Sequence, residues 1–569
     1  MSDRVIVSVK EGKVHGIKRY SNYSGAVYYS FFGIPYGQPP INSLRFKDPV
    51  KVKPWKNIYD ATIEKPGCVQ FCLKSYRLTG TEDCLFNNIH TPELPTKSTL
   101  LRPVIVFIHP GGFLHGSPKE DDFGSTTFFM HHDIVYVGIA HRLHILGFLN
   151  LGINECSGNQ GIKDIILSLQ WIKENIKSFG GDPENITLLG SSSGAFIVHI
   201  MLLSPASKGL FHKAVIMGAN LFDPTAPLQD TNSPIAFKLA CSLGYKGTLD
   251  DEKKLLSFFK KSNPVQLISE QRMLYFNEFR QNNALLLPGG LFVPTVDHGE
   301  NAILPEPRNL IQSTPRIPLM IGYGERESAL GFTRGRIRES TQKNFKTSIR
   351  QNPWGWGGKL TDDDIEIINE QVESFYLEGK STKQASVSTM IDIQTGAMLS
   401  DTYDTLINVV ASTSDSHVYV YKFLFEGDMT TMKNNFINLF DENLSGIYDL
   451  KKTLLTLLQE ISSFILGTFH GDDVCYWNCM GDPPTTPKTK EMVEMFTKII
   501  TTFARNGDPN FENLEVHWRP TKPDSPCYLS INNKLEMING RVHEEKLVFW
   551  DKIKKQFGRR DDAIASQND

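Results

Sequence analysis

Short apolar runs alternate with amphipathic stretches along most of the chain. Val104 to Ile108 (VIVFI) reads as a buried strand, as do Ile134 to Ile139 (IVYVGI), Ile186 to Leu189, Ala214 to Met217 and Leu319 to Ile321. Between two of these runs, Ile165, Leu169, Ile172 and Ile176 recur at the spacing of one helix face. That helix is expected to stop at Gly180-Gly181, with Asp182-Pro183 beyond it. His417 to Phe425 (HVYVYKFLF) is a later strand candidate. Strands alternating with helices predict an α/β protein built on a large, mostly parallel sheet. Residues 340 to 400 are more polar and read as helical, an insertion expected over a sheet edge. No repeat or linker interrupts the pattern. Residues 1–557 are therefore read as a single domain, and the charged segment 558–569 as a disordered tail.

Composition narrows the function classes. With 569 residues, 40% apolar and 22% charged, the chain is neither a mainly disordered nor a fibrous protein. Lys and Arg number 60 against 63 Asp and Glu, a net charge of −3, which leaves no basic footprint for nucleic acid. No run of residues is long and apolar enough to predict a membrane span. The N-terminal sequence lacks the apolar core of a secretory signal, and the C-terminal SQND matches no retention signal, so a cytoplasmic location is expected. Eight cysteines include two C-x3-C pairs, but these lack the flanks of a zinc ribbon and read as plain thiols.

The candidate chemistry begins at Gly190-Ser191-Ser192-Ser193-Gly194, which fits G-x-S-x-G. Among 44 glycines, chance supplies roughly 0.2 to 0.3 copies in such a chain, so the motif alone decides little. Its context decides more. A strand precedes it and Ala195-Phe196-Ile197-Val198 opens an apolar helix, so the central Ser192 sits on a strand–turn–helix that lifts its hydroxyl into solvent. The strand VIVFI likewise runs into His109-Pro110-Gly111-Gly112-Phe113. Glycines let backbone N–H groups approach a developing oxyanion unobstructed, which makes Gly111, Gly112 and Ser193 the candidate donors. His109 is read as structural. Gly355-Trp356-Gly357-Gly358-Lys359 resembles part of a phosphate loop, but Leu360 and the spacing break the pattern.

With these residues in view, the chain resembles the carboxylesterase/cholinesterase family of α/β-hydrolases, and within it the insect intracellular alpha-esterases. The likeness runs nearly end to end. Its marks are Phe32-Gly33-Ile34-Pro35-Tyr36, Leu44-Arg45-Phe46, Glu82-Asp83-Cys84-Leu85, Phe179-Gly180-Gly181-Asp182-Pro183, Asn506-Gly507-Asp508-Pro509 and Phe549-Trp550. The resemblance implies the α/β-hydrolase fold with helical insertions and a small-molecule ester as substrate. It implies no cofactor and no metal. It also implies the acid Glu327, a few residues past Gly322, and the base His470, ahead of Gly471-Asp472-Asp473. Glu325 is the competing acid. Arg45 and Glu82 match the family's buried ion pair, and Cys68 and Cys84 its first disulfide, which a reducing compartment would leave as thiols.

Departures from the family pattern bear on rate. Pro110 replaces the first glycine of the Gly-rich loop, removing one N–H. Ser191 stands where Glu is common, and Ser193 where Ala is usual. Gly218 and Ala219 break a Met-Ser-Gly pattern whose hydroxyl supports the acid. The function expected is a serine carboxylesterase acting on xenobiotic or lipid-type esters and trapped by organophosphates. The alternative is a slow or non-catalytic relative that sequesters ligands; a dedicated hormone or pheromone esterase is a third reading. Choline esters are not expected, because no Trp lies between Trp55 and Trp171 to stack on a quaternary ammonium, and Leu330 stands where cholinesterases carry an aromatic ring. Monomer and homodimer both remain open.

Overall fold

The computed structural model describes residues 4–557 other than 73–74, 76, 97–99, 222–229, 283–289, 298–301, 305–315, 329–359, 383–384, 414–416, 430–467, 469 and 480–482. The tail 558–569, the segment 355–359 and Leu330 lie outside the described residues.

Among the described residues a 13-stranded sheet runs through the molecule. Its first strands are β1 (Arg4–Val9), β2 (Gly12–Tyr20), β3 (Val27–Pro35), the short β4 (Tyr59–Asp60) that pairs only with β2, and β5 (Phe86–Thr91). There follow β6 (Arg102–Ile108), β7 (Val135–Ile139), β8 (Gly181–Ser191), β9 (Lys213–Met217), β10 (Leu319–Gly324), β11 (Val418–Phe423), β12 (Cys527–Ile531) and β13 (Leu535–Asn539). The spatial order is β1-β2-β3-β5-β7-β6-β8-β9-β10-β11-β12-β13. From β7 to β12 every neighbouring pair is parallel, and antiparallel strands close both ends.

The continuous apolar runs are explained by two cores, one on each face of the sheet. Val104, Val106 and Ile108 of β6 join one core, while Ile105 and Phe107 join the other. Ala214 and Ile216 of β9 alternate with Val215 and Met217 in the same way. Helix α1 (Gln160–Asn175) buries Ile165, Leu169 and Ile172 against the sheet. A 3-10 turn over Ile176–Phe179 continues it to Gly180, whose φ of +83° ends the element. Asp182-Pro183 is not loop beyond the helix but the start of β8, whose register to β6 is irregular before Ile186. The helices include α2 (Ser193–Leu203), α3 (Asp362–Leu377), α4 (Val387–Thr413) and α5 (Pro487–Asn506); α3 and α4 are helical within the stretch expected at 340–400, of which 340–359 lies outside the described residues. There Ile368, Met390 and Ile391 form a third apolar cluster with Trp550 and Ile553 near the C-terminus.

Cys68 and Cys84 are joined as a disulfide with sequence separation 16, the state that an oxidising compartment maintains. Closing a loop of that size stabilises the fold by about 3 kcal/mol. Arg45 clamps Glu82 through two hydrogen bonds of 2.6 and 2.5 Å and also donates to the carbonyls of Lys260 and Ser262. A second bidentate pair, Arg142 with Asp164 at 2.8 and 2.6 Å, is almost wholly buried. No described helix is long and apolar enough to cross a membrane.

Candidate active site

The site lies at the carboxyl ends of β6, β8, β9 and β10. Strand β8 ends at Ser191 and α2 begins at Ser193, so Ser192 alone makes the turn, with φ 53° and ψ −125°. A non-glycine residue held there stores about 1–3 kcal/mol of strain. Its neighbours hold it in place. The N–H of Ser192 donates to the Met217 carbonyl on β9 at 2.8 Å, and its carbonyl accepts from the N–H of Phe196 at 3.0 Å. Both glycines of the motif are demanded by close approach. A Cβ on Gly190 would lie 2.3 Å from the Gly194 carbonyl oxygen, and one on Gly194 would lie 2.2 Å from that of Ile108.

His470 stands between the other two candidates. Its Nε2 is 2.8 Å from Ser192 Oγ, and its Nδ1 is hydrogen-bonded to Glu327 Oε2. The second carboxylate oxygen of Glu327 accepts from the N–H of Gly324 at 2.6 Å. Both His470 and Glu327 are buried. Gly218, at φ +75°, passes so near that a Cβ would come 3.1 Å from the imidazole. The position that lost a hydroxyl relative to the family pattern thus leaves room for the ring, and a backbone amide supports the acid. Glu325, the competing acid, faces Lys422, with Nζ and carboxylate 3.6 Å apart.

Sequence reasoning missed what fastens this group. Thr468 accepts from the N–H of Glu325 through Oγ1 at 3.1 Å and donates to the Phe423 carbonyl at 2.8 Å, while its own carbonyl accepts from Arg326 N–H at 3.0 Å. Asp473 is buried behind the imidazole and accepts from the Tyr421 hydroxyl at 2.7 Å. Burial pushes its carboxyl up to about 7, and the nearby Glu327 charge adds to the rise. The acidic run after His470 was the only sequence signal for it.

The Gly-rich loop faces Ser192 from the end of β6. Gly111 has φ +125°, and Gly112 and Phe113 both have φ +62°. The Gly111 carbonyl accepts from the N–H groups of Leu114 and His115, closing a tight turn in which a Cβ on Gly111 would lie 2.1 Å from the His115 carbonyl oxygen. The N–H of Gly112 donates to Ser193 Oγ at 2.9 Å. His109 is buried and stacks on His141 at 4.7 Å, and burial lowers it to about 3, so it stays neutral. Among the described residues, the one cluster with metal-ligand spacing is His131, His132 and Glu494, whose ligand atoms lie within 4.8 Å of one another. They are already engaged, His131 with Glu494 at 3.1 Å and His132 with Thr497 at 3.0 Å.

Comparison with known proteins agrees with this architecture. Esterase E4 of Myzus persicae is 29% identical over 535 residues, covering 90% of this chain and 88% of that protein. Juvenile hormone esterase of Heliothis virescens is 33% identical over 346 residues, covering 58% of this chain and 57% of its own. The crystal structure of juvenile hormone esterase from Manduca sexta, with OTFP covalently attached, superposes with a TM-score of 0.76 at 26% identity, covering 97% of this chain and 100% of that one. The model of the carboxylesterase family matches residues 3–550. The chain therefore belongs to the carboxylesterase family, with the α/β-hydrolase fold, and is a carboxylic-ester hydrolase.

Proposed function

We propose that the chain hydrolyses esters through a covalent acyl-serine. Ser192 Oγ attacks the ester carbonyl while His470 Nε2 takes its proton. Glu327 fixes the imidazole tautomer and stabilises the cation that forms. The N–H groups of Gly111, Gly112 and Ser193 hold the negative charge on the carbonyl oxygen. His470 then protonates the departing alcohol, and a water activated by the same imidazole releases the acid. The observation that carries this reading is one buried imidazole bonded to Ser192 through one nitrogen and to Glu327 through the other.

The substrates proposed are short aliphatic, naphthyl or lipid-type esters, with organophosphates as trapping agents and acetylcholine a poor substrate. The likeness to juvenile hormone esterases favours a second reading, a dedicated hormone-ester hydrolase. A third reading, slow turnover with stoichiometric capture, draws on Ser193 Oγ beside the loop.

One experiment separates them. The chain is titrated with a fluorogenic organophosphate, and turnover is measured over a panel of acyl lengths, a juvenile-hormone-type methyl ester and acetylcholine. One leaving group per chain together with sustained turnover of the short and naphthyl esters is expected. The Ser192→Ala variant should show neither, and full turnover by that variant would end the acyl-serine reading. Capture without turnover would favour sequestration, and preference for the methyl ester would favour the hormone reading.

A further inference from the structure

An oxyanion hole needs N–H groups that are unengaged when the carbonyl oxygen arrives. Here Gly112 is different. Its N–H already donates to Ser193 Oγ at 2.9 Å; Gly112 is half-buried and the accepting Ser193 is buried. Ser193 opens α2, so one residue supplies both a donor to the hole, its own N–H, and an acceptor that takes up another donor of the same hole.

Competition for that N–H follows acceptor strength. A neutral ester carbonyl is no stronger an acceptor than an alkyl hydroxyl, and the hydroxyl is tethered beside the amide. A full oxyanion forms a charge-assisted bond roughly twice as strong. The hydroxyl therefore keeps the amide while the ester binds and gives it up only once negative charge has developed, by turning about the Cα–Cβ bond.

We propose that the Ser193 hydroxyl is a latch on the oxyanion hole. It reserves the Gly112 N–H for acceptors stronger than a hydroxyl, and so holds down turnover of ordinary esters. Ser193 is on this view a rate- and selectivity-determining residue through its side chain, apart from the role of its N–H. The inference rests on the acyl-serine reading above.

The test is Ser193→Ala in the full chain, with 1-naphthyl acetate and p-nitrophenyl butyrate as substrates and a trifluoromethyl ketone, whose serine adduct carries an oxyanion, as inhibitor. Removing the latch frees the amide, so kcat/KM and the ketone's association rate should both rise about three- to tenfold. Ser193→Thr keeps the hydroxyl and stiffens its torsion, and should remain at or below the parent rate. If Ser193→Ala does not fold, Ser193→Cys serves, because sulfur is a weak acceptor and the same rise is expected. An unchanged or lower kcat/KM in a folded Ala or Cys variant overturns the latch, since a hydroxyl that donates to the oxyanion would cost activity when removed. Ser192→Ala runs alongside. If it is inactive while Ser193→Ala shows no gain, the latch alone fails; if it still turns over ester, the acyl-serine reading fails and takes the latch with it.

Discussion

The two sides of the candidate site follow opposite rules. On the nucleophile side, each polar atom faces the partner with which the proposed chemistry exchanges a proton or shares a charge: Ser192 with His470, His470 with Glu327, Glu327 with the N–H of Gly324. Backbone strain at Ser192 is held by the Met217 carbonyl and by glycines that no other residue could replace without a clash. On the oxyanion side, the loop is equally constrained, yet one of its amides is already satisfied by a neighbouring hydroxyl. On the proposed reading one side stands ready for reaction, while on the other the Gly112 amide must break a bond before it can act. Rate in such a site can be tuned on the proposed hole without touching Ser192, His470 or Glu327.

The largest expected effect is on the ready side. His470→Ala should lower kcat by on the order of 10⁴-fold or more with little change in KM, because the proton acceptor is lost while the pocket stays. Steady-state kinetics on p-nitrophenyl butyrate checks this, and a loss under tenfold would remove His470 from the proposed role. Gly111→Ala on the hole side should cost about 10²-fold in kcat. The new Cβ would lie 2.1 Å from the His115 carbonyl oxygen, and φ +125° disfavours it, so the loop must move. Organophosphate capture should slow in parallel, since phosphorylation of Ser192 draws on the same amides; capture at the parent rate would separate the loop from the hole.

The smallest effect belongs to Asp473, behind the imidazole. Its carboxyl is pushed up to about 7, chiefly by burial, so the folded chain holds a proton that the unfolded chain has released. Its contribution is complete below the ordinary aspartate range and is lost as pH rises through about 7. Asp473→Asn should remove that slope. Its Tm relative to the parent should climb between pH 4 and 8 by about 1–3 °C, measured by thermal melts. A constant offset would contradict the assignment. Esterase rate should follow far less, which would mark Asp473 as support rather than machinery.

Much of the scaffold was legible because strands covered on both faces must be apolar throughout, as in Val104 to Ile108. The nucleophile turn was legible because a strand, two glycines and an apolar helix surround Ser192 in the chain itself. The boundary at Asp182-Pro183 was not, since a proline that ends helices also begins strands. Glu327 and His470 came only from family resemblance. Periodicity carries no trace of contacts between residues so far apart, and the same holds for Arg142 with Asp164 and for Gly112 with Ser193. Ser193 was visible as an extra hydroxyl, but which amide it would take depends on how two loops meet.

Thr468 has a mechanical consequence. Through its hydroxyl and its carbonyl it pins Glu325, Arg326 and Phe423 to one point, two positions before His470 and one before Glu327. The proposed acid and base thus share a mounting. A jolt to either loop carries both along in common mode, and the spacing between imidazole and carboxylate, on which the orientation of the proposed base depends, is shielded from drift elsewhere in the chain.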